Sequence, residues 1–147
     1  MNKLLPIKSL TAAVLAVLLL GGCTVRYVAD YDETIRDEIY EIAADVDHFW
    51  GFMAEFPQDE RRYVGFRGDY VEIETKLRIL LMKSEARQDN KLSSDQARIV
   101  LELWVEDREL HREEDDFSDF LINRHRRQFN EVFTAMARAE ETKRMND

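Results

Sequence analysis

Residues 35–57 read IRDEIYEIAADVDHFWGFMAEFP. Ile35, Ile39, Ile42, Val46, Phe49, Met53 and Phe56 recur there at spacings of 4, 3, 4, 3, 4 and 3. That rhythm draws one narrow apolar stripe along a helix, whereas a half-buried strand would alternate with period two. A helix with a single apolar stripe has to bury it against other elements. Pro57 marks the stop, because the residue before a proline is pushed out of the helical region. At the other end, Asp30 followed by Glu33 predicts a capping-box start. The phenylalanines and methionine of this stripe read as core rather than as a cofactor box.

Outward from this helix the same period continues. Tyr63, Phe66, Tyr70, Ile73, Leu77, Leu80 and Leu81 predict a second helix that begins between Gln58 and Asp69. Gly65 and Gly68 weaken its first turns by about 1 kcal/mol each relative to alanine, which points to a bend or a close helix contact. Glu72 with Lys76 and Glu74 with Arg78 are Glu-first i,i+4 pairs expected on the solvent side. Ser93 with Gln96 then suggests a capping box for a third helix.

The third helix carries Ala97, Ile99, Val100, Leu101, Leu103, Trp104, Val105 and Leu110, about two-thirds of its circumference at 100° per residue. It is therefore expected to be the most buried element. Glu102, Glu106, Glu109 and Glu113 form its one charged edge. A polar break at Glu113–Ser118 leads to a fourth helix with Phe117, Phe120, Leu121, Phe129, Val132, Phe133 and Met136 inward and an end fraying from Glu140. Four helices with short connections predict an all-α, antiparallel four-helix bundle over residues 30–147. Three long helices, with the third and fourth continuous, are the alternative.

The N-terminus has a different composition. Lys3 and Lys8 open the chain without any acidic residue, and Leu10–Leu20 is an eleven-residue run that is apolar except for Thr11. This is the plan of a secretory signal, and the run is shorter than the roughly 20 residues that span a bilayer. It ends in Leu20-Gly21-Gly22-Cys23. The segment resembles the lipobox of bacterial lipoproteins. The resemblance implies a signal peptide over residues 1–22, cleavage between Gly22 and Cys23, and lipidation of Cys23 with diacylglycerol and a further acyl chain such as palmitate. In that family an Asp after the cysteine retains the protein at the inner membrane. Thr24 departs from that rule, so the resemblance implies outer-membrane delivery, more readily on the periplasmic face. Residues 23–29 would be the lipidated cysteine and its tether, six residues of which reach about 20 Å.

Charge and cysteine count limit what the body can do. Cys23 is the sole cysteine, so no disulfide can form within the chain and stability has to come from packing. Residues 24–147 hold all 30 acidic residues and every basic one except Lys3 and Lys8, a formal charge of −11. Such a surface argues against binding nucleic acid, and leaves the lipid on Cys23 as the hold on the membrane. His48, His111 and His125 lack metal-ligand spacing, and no Glu-x-x-His pair of the di-iron bundles is present. His111 falls on the apolar side of its helix with Asp107 one turn before it, as a satisfied core histidine would. Ser9, Ser84, Ser93, Ser94 and Ser118 lie on no glycine-rich elbow, and Glu113–Asp116 lacks the pattern of a calcium loop. No catalytic residue, metal ligand or cofactor is assigned.

A looser resemblance covers most of the remaining chain. The tether with Tyr27, Tyr31 and Asp32, followed by a bundle with Arg108-Glu109-Leu110-His111-Arg112, looks like small helical bacterial lipoproteins, a group with no activity to carry over. Two functions remain open: a non-enzymatic, lipid-anchored interaction module with a protein partner in the envelope, or an enzyme or metal-binding bundle in the periplasm. The second requires carboxylates and histidines converging inward, and the first, second and fourth stripes are expected to hold little inward charge. If the last two helices form a hairpin near Asp115 and Asp116, Glu106 and Glu109 fall level with Arg124 and Arg127. Those four residues are either mutually neutralising or one partner surface.

Overall fold

The computed structural model describes residues 29–145. The expected signal peptide, the expected Gly22–Cys23 cleavage site and the expected tether up to residue 28, Tyr27 included, lie outside the described residues. Four α-helices follow one another: α1 (Glu33–Ala54), α2 (Tyr63–Glu85), α3 (Lys91–Glu114) and α4 (Asp119–Arg144). A 3₁₀ turn at Gln58–Glu60 joins the first two. The expected four-helix bundle is present. α3 and α4 are separate, because Asp115 takes a left-handed φ of 53° and ends α3. Aspartate tolerates that conformation better than most residues. Its carboxylate then accepts from the Tyr63 backbone N–H at 2.9 Å and pairs with Arg62 at 2.7 Å, which ties this turn to the start of α2.

α1 packs mainly against α4 and α2 against α3, with smaller contacts between α1 and α2 and between α3 and α4. The α1 stripe behaves as its spacing requires: Ile35, Ile39, Ile42, Val46, Phe49 and Met53 are buried, and Phe56 is half-buried. At the centre, Phe49, Trp50, Tyr70, Trp104 and Phe129 meet from all four helices. Phe49 lies 4.6 Å from Tyr70 and 5.0 Å from Trp104, both edge-on, the arrangement that the ring quadrupoles favour.

Several local expectations are corrected. The α1 cap is Asp32, not Asp30: its carboxylate accepts from Thr34 N at 2.9 Å and Ile35 N at 3.3 Å. Ser93 lies inside α3 and its hydroxyl accepts from Lys143, while Asn90 stands at the cap position. Gly65 and Gly68 make no close contact with a neighbouring helix, since a Cβ built on either would meet nothing within 4 Å, and α2 runs unbroken through both. α3 is no more buried than its neighbours, because Ile99 is half exposed and Leu103, Val105 and Leu110 are only partly covered. In α4, Phe120 points outward at 70 % exposure, whereas Ile122, His125 and Ala137 face inward. The helix holds to Arg144 instead of fraying from Glu140.

The largest correction concerns charge. Glu74, Asp107, His125, Glu140 and Lys143 are buried on α2, α3 and α4, along with Arg61 in the α1–α2 connection. Glu74 is not on the solvent side with Arg78 alone; it also pairs with Arg108 of α3. Buried charges persist where they are paired and hydrogen-bonded.

Two of these groups close the ends of the bundle. At the end where the described chain begins, Glu140 accepts from Asp32 N at 3.2 Å and Arg87 at 3.3 Å. Lys143 donates to Glu140 at 2.6 Å, Asn90 at 2.8 Å and Ser93 at 2.9 Å. At the opposite end the Arg61 guanidinium donates to the carbonyls of Ala54, Phe56 and Phe117 and pairs with Asp119 at 2.6 Å. A cation on the last carbonyls of α1 satisfies groups that the helix itself leaves unpaired.

Candidate functional site

The buried ionisable groups fall in separate places. His111 is fully buried and bonded on both nitrogens, to the Tyr70 hydroxyl and the Arg61 carbonyl, so the expected satisfied core histidine is found. Asp107 does not serve it. Its Oδ2 lies 2.8 Å from Nδ1 of His125 on α4. That approach lacks hydrogen-bond alignment, and both His125 nitrogens and Trp50 Nε1 have no hydrogen-bond partner among the described residues. The His125 ring packs in a cluster with Trp50, 5.2 Å away, and Phe117, 5.5 Å away, which are themselves 5.8 Å apart. A histidine–carboxylate pair is a general base in outline, but a base has to come within hydrogen-bond reach of a substrate proton. Here the His125 side chain is only 8 % exposed, with the Trp50 and Phe117 rings packed against it. Glu74–Arg108, Asp107–His125 and Glu140–Lys143 do not converge, and the described residues contain no group of three or more metal-ligating side chains placed to hold an ion.

The surface offers more. A groove of about 210 Å³ runs between α1 and α2, lined by Asp45, His48, Phe49, Phe52, Asp69, Glu72 and Ile73. Phe49 and Ile73 form an apolar floor, and Asp45, Asp69 and Glu72 stand on the rim. Lys76 neutralises two of these, at 2.8 Å from Asp45 and 3.0 Å from Glu72, while Asp69 has no ion pair among the described residues. The ammonium gains from both carboxylates, so the pKa of Lys76 is raised. Such a groove suits a cationic side chain with an apolar stem. Its lining includes no serine, threonine or cysteine.

The four residues expected at the hairpin lie where the turn places them but are not joined. Glu106, Arg124 and Arg127 are exposed. Glu109 is half-buried and pairs with Arg108 at 2.9 Å and with Arg112, both on its own helix. No ion pair links Glu106 or Glu109 to Arg124 or Arg127 among the described residues. The basic cluster is instead held by its neighbour Arg126, which grips Asp47 of α1 with two bonds of 2.6 and 2.7 Å. Those bonds lower the pKa of Asp47 and raise that of Arg126.

Sequence reading missed Arg61, Glu74–Arg108, Asp107–His125 and Glu140–Lys143. The first three depend on a partner in another segment, which a helical wheel does not show. The one local signal was Glu140 with Lys143, an i,i+3 pair on the apolar side of α4. Compared with protein-family models, curated proteins and solved structures, the chain matches none of them.

Proposed function

We propose that the chain is a lipid-anchored, non-enzymatic helical interaction module of the bacterial cell envelope, held at the outer membrane on its periplasmic face. The observation that carries this reading is Leu20-Gly21-Gly22-Cys23 at the end of the apolar run, behind Lys3 and Lys8. Gly22–Cys23 is the cleavage site and Cys23 takes the lipid. Acyl chains contribute about 0.8 kcal/mol per buried methylene, so a multiply acylated Cys23 anchors the body without help from it. The body's charge of −11 favours standing off an anionic bilayer, and no described helix is long and apolar enough to cross one. Glu74, Glu140 and Lys143 are paired with opposite charges and His111 is bonded on both nitrogens, which leaves the surface for recognition. The free charges Arg124, Arg127 and Glu106, with Glu109 beside them, form the partner-facing edge.

Labelling cells with tagged palmitate tests the anchor. The full chain takes the label and partitions into detergent, and Cys23→Ser abolishes both. Label retained by the Ser variant would refute the proposal. A second reading, a metal-binding or catalytic bundle, is favoured by Asp107–His125 alone. A Co²⁺ titration of the full chain that develops d–d bands lost on His125→Gln would decide for it.

A further inference from the structure

The outward-most line of α2 is unlike that of any other helix in the bundle. Phe66, Tyr70, Ile73, Leu77 and Leu80 face the core. At 100° per residue the opposite line is Val64, Gly68, Val71, Thr75, Ile79 and Met82, continued by Ala86. Val64 is 76 % exposed, Val71 53 %, Met82 63 % and Ile79 38 %. No charged residue stands on this line, in a chain that is 35 % charged. α3 presents Glu102, Glu106 and Glu113 at its outer face and α4 presents Arg124, Arg127 and Arg138. An apolar line running the length of a helix, with polar flanks, marks a surface that docks something.

The glycines point the same way. Gly65 and Gly68 have helical backbones that any residue adopts, and open space where a side chain would be. They weaken the helix and the isolated fold gains no contact from them. A backbone approaching from outside does gain, because glycine lets two helices come close.

We infer that this line is a self-association surface, on which α2 of a second copy packs antiparallel about a two-fold axis near Thr75. Shape and charge both select this occupant. Antiparallel pairing sets Val64 against Ala86, Gly68 against Met82, Val71 against Ile79 and Thr75 against itself, so that the small Gly68 and Ala86 each meet a larger residue. The outermost charges flanking the line change sign about the same midpoint, with the Glu74–Arg78 pair lying between them towards α3. Towards α3 stand Arg67 before it and Glu85 after it; towards α1 stand Asp69 before it and Lys83 after it. A two-fold brings each flank against itself in reverse, so Arg67 meets Glu85 and Asp69 meets Lys83. Arg67 and Asp69 are exposed and have no ion pair among the described residues. Glu85 and Lys83 are each held by one partner, Arg98 and Glu38, with their side chains 45 % and 43 % exposed. An isologous contact of this kind closes on itself as a dimer. A single helix face about 35 Å long is a small interface, so the dimer is reversible. The inference does not depend on the lipid at Cys23.

Cysteine cross-linking of the full chain in non-ionic detergent tests it, with the unsubstituted chain oxidised alongside to report any link through Cys23. Thr75→Cys is expected to link to itself. Val64→Cys is expected to link to Ala86→Cys when the two are mixed, but not to itself. Glu102→Cys, on the outer face of α3, is expected to stay monomeric. Adding Gly68→Gln to Thr75→Cys should cut the linked fraction at least tenfold with the helical circular dichroism intact. A Thr75→Cys chain that stays monomeric overturns the inference, as does linking at Glu102→Cys to the same extent. Self-linking of Val64→Cys would mean parallel pairing, and an unchanged yield with Gly68→Gln would place the contact elsewhere.

Discussion

The Tyr70 hydroxyl and His111 Nδ1 lie 3.2 Å apart, and Nε2 of the same ring sits 2.8 Å from the Arg61 carbonyl oxygen. A carbonyl oxygen only accepts, so Nε2 carries the proton and Nδ1 accepts from the hydroxyl. In the neutral imidazole the tautomer is fixed by the Arg61 and Tyr70 contacts together. Burial lowers its pKa below the ordinary 6.5, outweighing the bond to Arg61 and the nearby Asp115 and Asp116. The folded value lies under the unfolded one, so the unfolded chain binds more protons in acid. The stability from this site is complete above about pH 6.5 and is lost as the pH falls through the folded value. His111→Gln should be less stable than the parent at pH 7.5. It should also lose less further stability between pH 6.5 and 5, as read from urea midpoints. Parallel pH profiles for the two proteins would show that His111 does not titrate with unfolding.

This site shows where sequence reading reaches and where it stops. His111 was recognisable as inward because Val100, Trp104, His111 and their neighbours keep a helical period, and periodicity is a property of one segment. Its partners were not, because Tyr70 and Arg61 come from α2 and the turn before it, 41 and 50 residues away. The same limit explains the buried charges: charged side chains such as Glu74 and Glu140 read as solvent-facing until Arg108 and Arg87 arrive from elsewhere. The caps failed for a related reason. Asp30–Glu33 and Ser93–Gln96 both fit the capping-box spacing, but a side chain caps only where the backbone turns. Asp32 sits at that turn with an extended φ of −135°, while the Ser93 hydroxyl is drawn to Lys143. The acidic line on α3 was legible, whereas its relation to Arg124 and Arg127 depended on a register that sequence does not contain.

Trp104 is fully buried, donates from Nε1 to the Tyr70 carbonyl at 3.0 Å, and touches the rings of Phe49, Trp50, Tyr70 and Phe129. Trp104→Ala removes the side chain on which all four helices converge. The expected loss is about 3–5 kcal/mol, from lost burial and the cavity left behind. Marginal domains hold about 5–15 kcal/mol in all, so a large drop in the urea midpoint should follow. A loss under about 1 kcal/mol would mean that the site collapses around the gap, contrary to the density of rings around it.

Lys143 and Glu140 form a buried pair, 6 % and 1 % exposed, at the end of the bundle where the described chain begins. Removing one partner strands the other. Lys143→Met leaves the Glu140 carboxylate with Arg87 and the Asp32 N–H, and also removes the donor to Asn90 Oδ1 and the Ser93 hydroxyl. The expected cost is about 3–5 kcal/mol, the usual penalty for breaking a buried pair. Replacing both, as Lys143→Met with Glu140→Leu, should recover part of it, because no lone charge is then left in the core. The double variant falling below the single one would show that Glu140 holds the α1 start and Arg87 more strongly than it needs Lys143.

Arg124 and Arg127 separate recognition from stability. Both are exposed and neither has an ion pair among the described residues, so the fold does not draw on them. Arg126 between them is different, since its two bonds to Asp47 tie α4 to α1, and it should be left in place. Reversing Arg124 and Arg127 to Glu should move the melting temperature by no more than surface substitutions do, within about 0.5 kcal/mol. If these charges steer a partner together with Glu106 and Glu109, the reversal changes association strongly, because rim charges govern encounter and orientation. Recovery of envelope proteins with the tagged full chain should then fall several-fold, and the loss should shrink at high salt as the charges are screened. Unchanged recovery with an unchanged melting temperature would make the hairpin edge a solvated face. A large drop in melting temperature would show that the two arginines belong to the fold, and no binding loss could then be assigned to recognition.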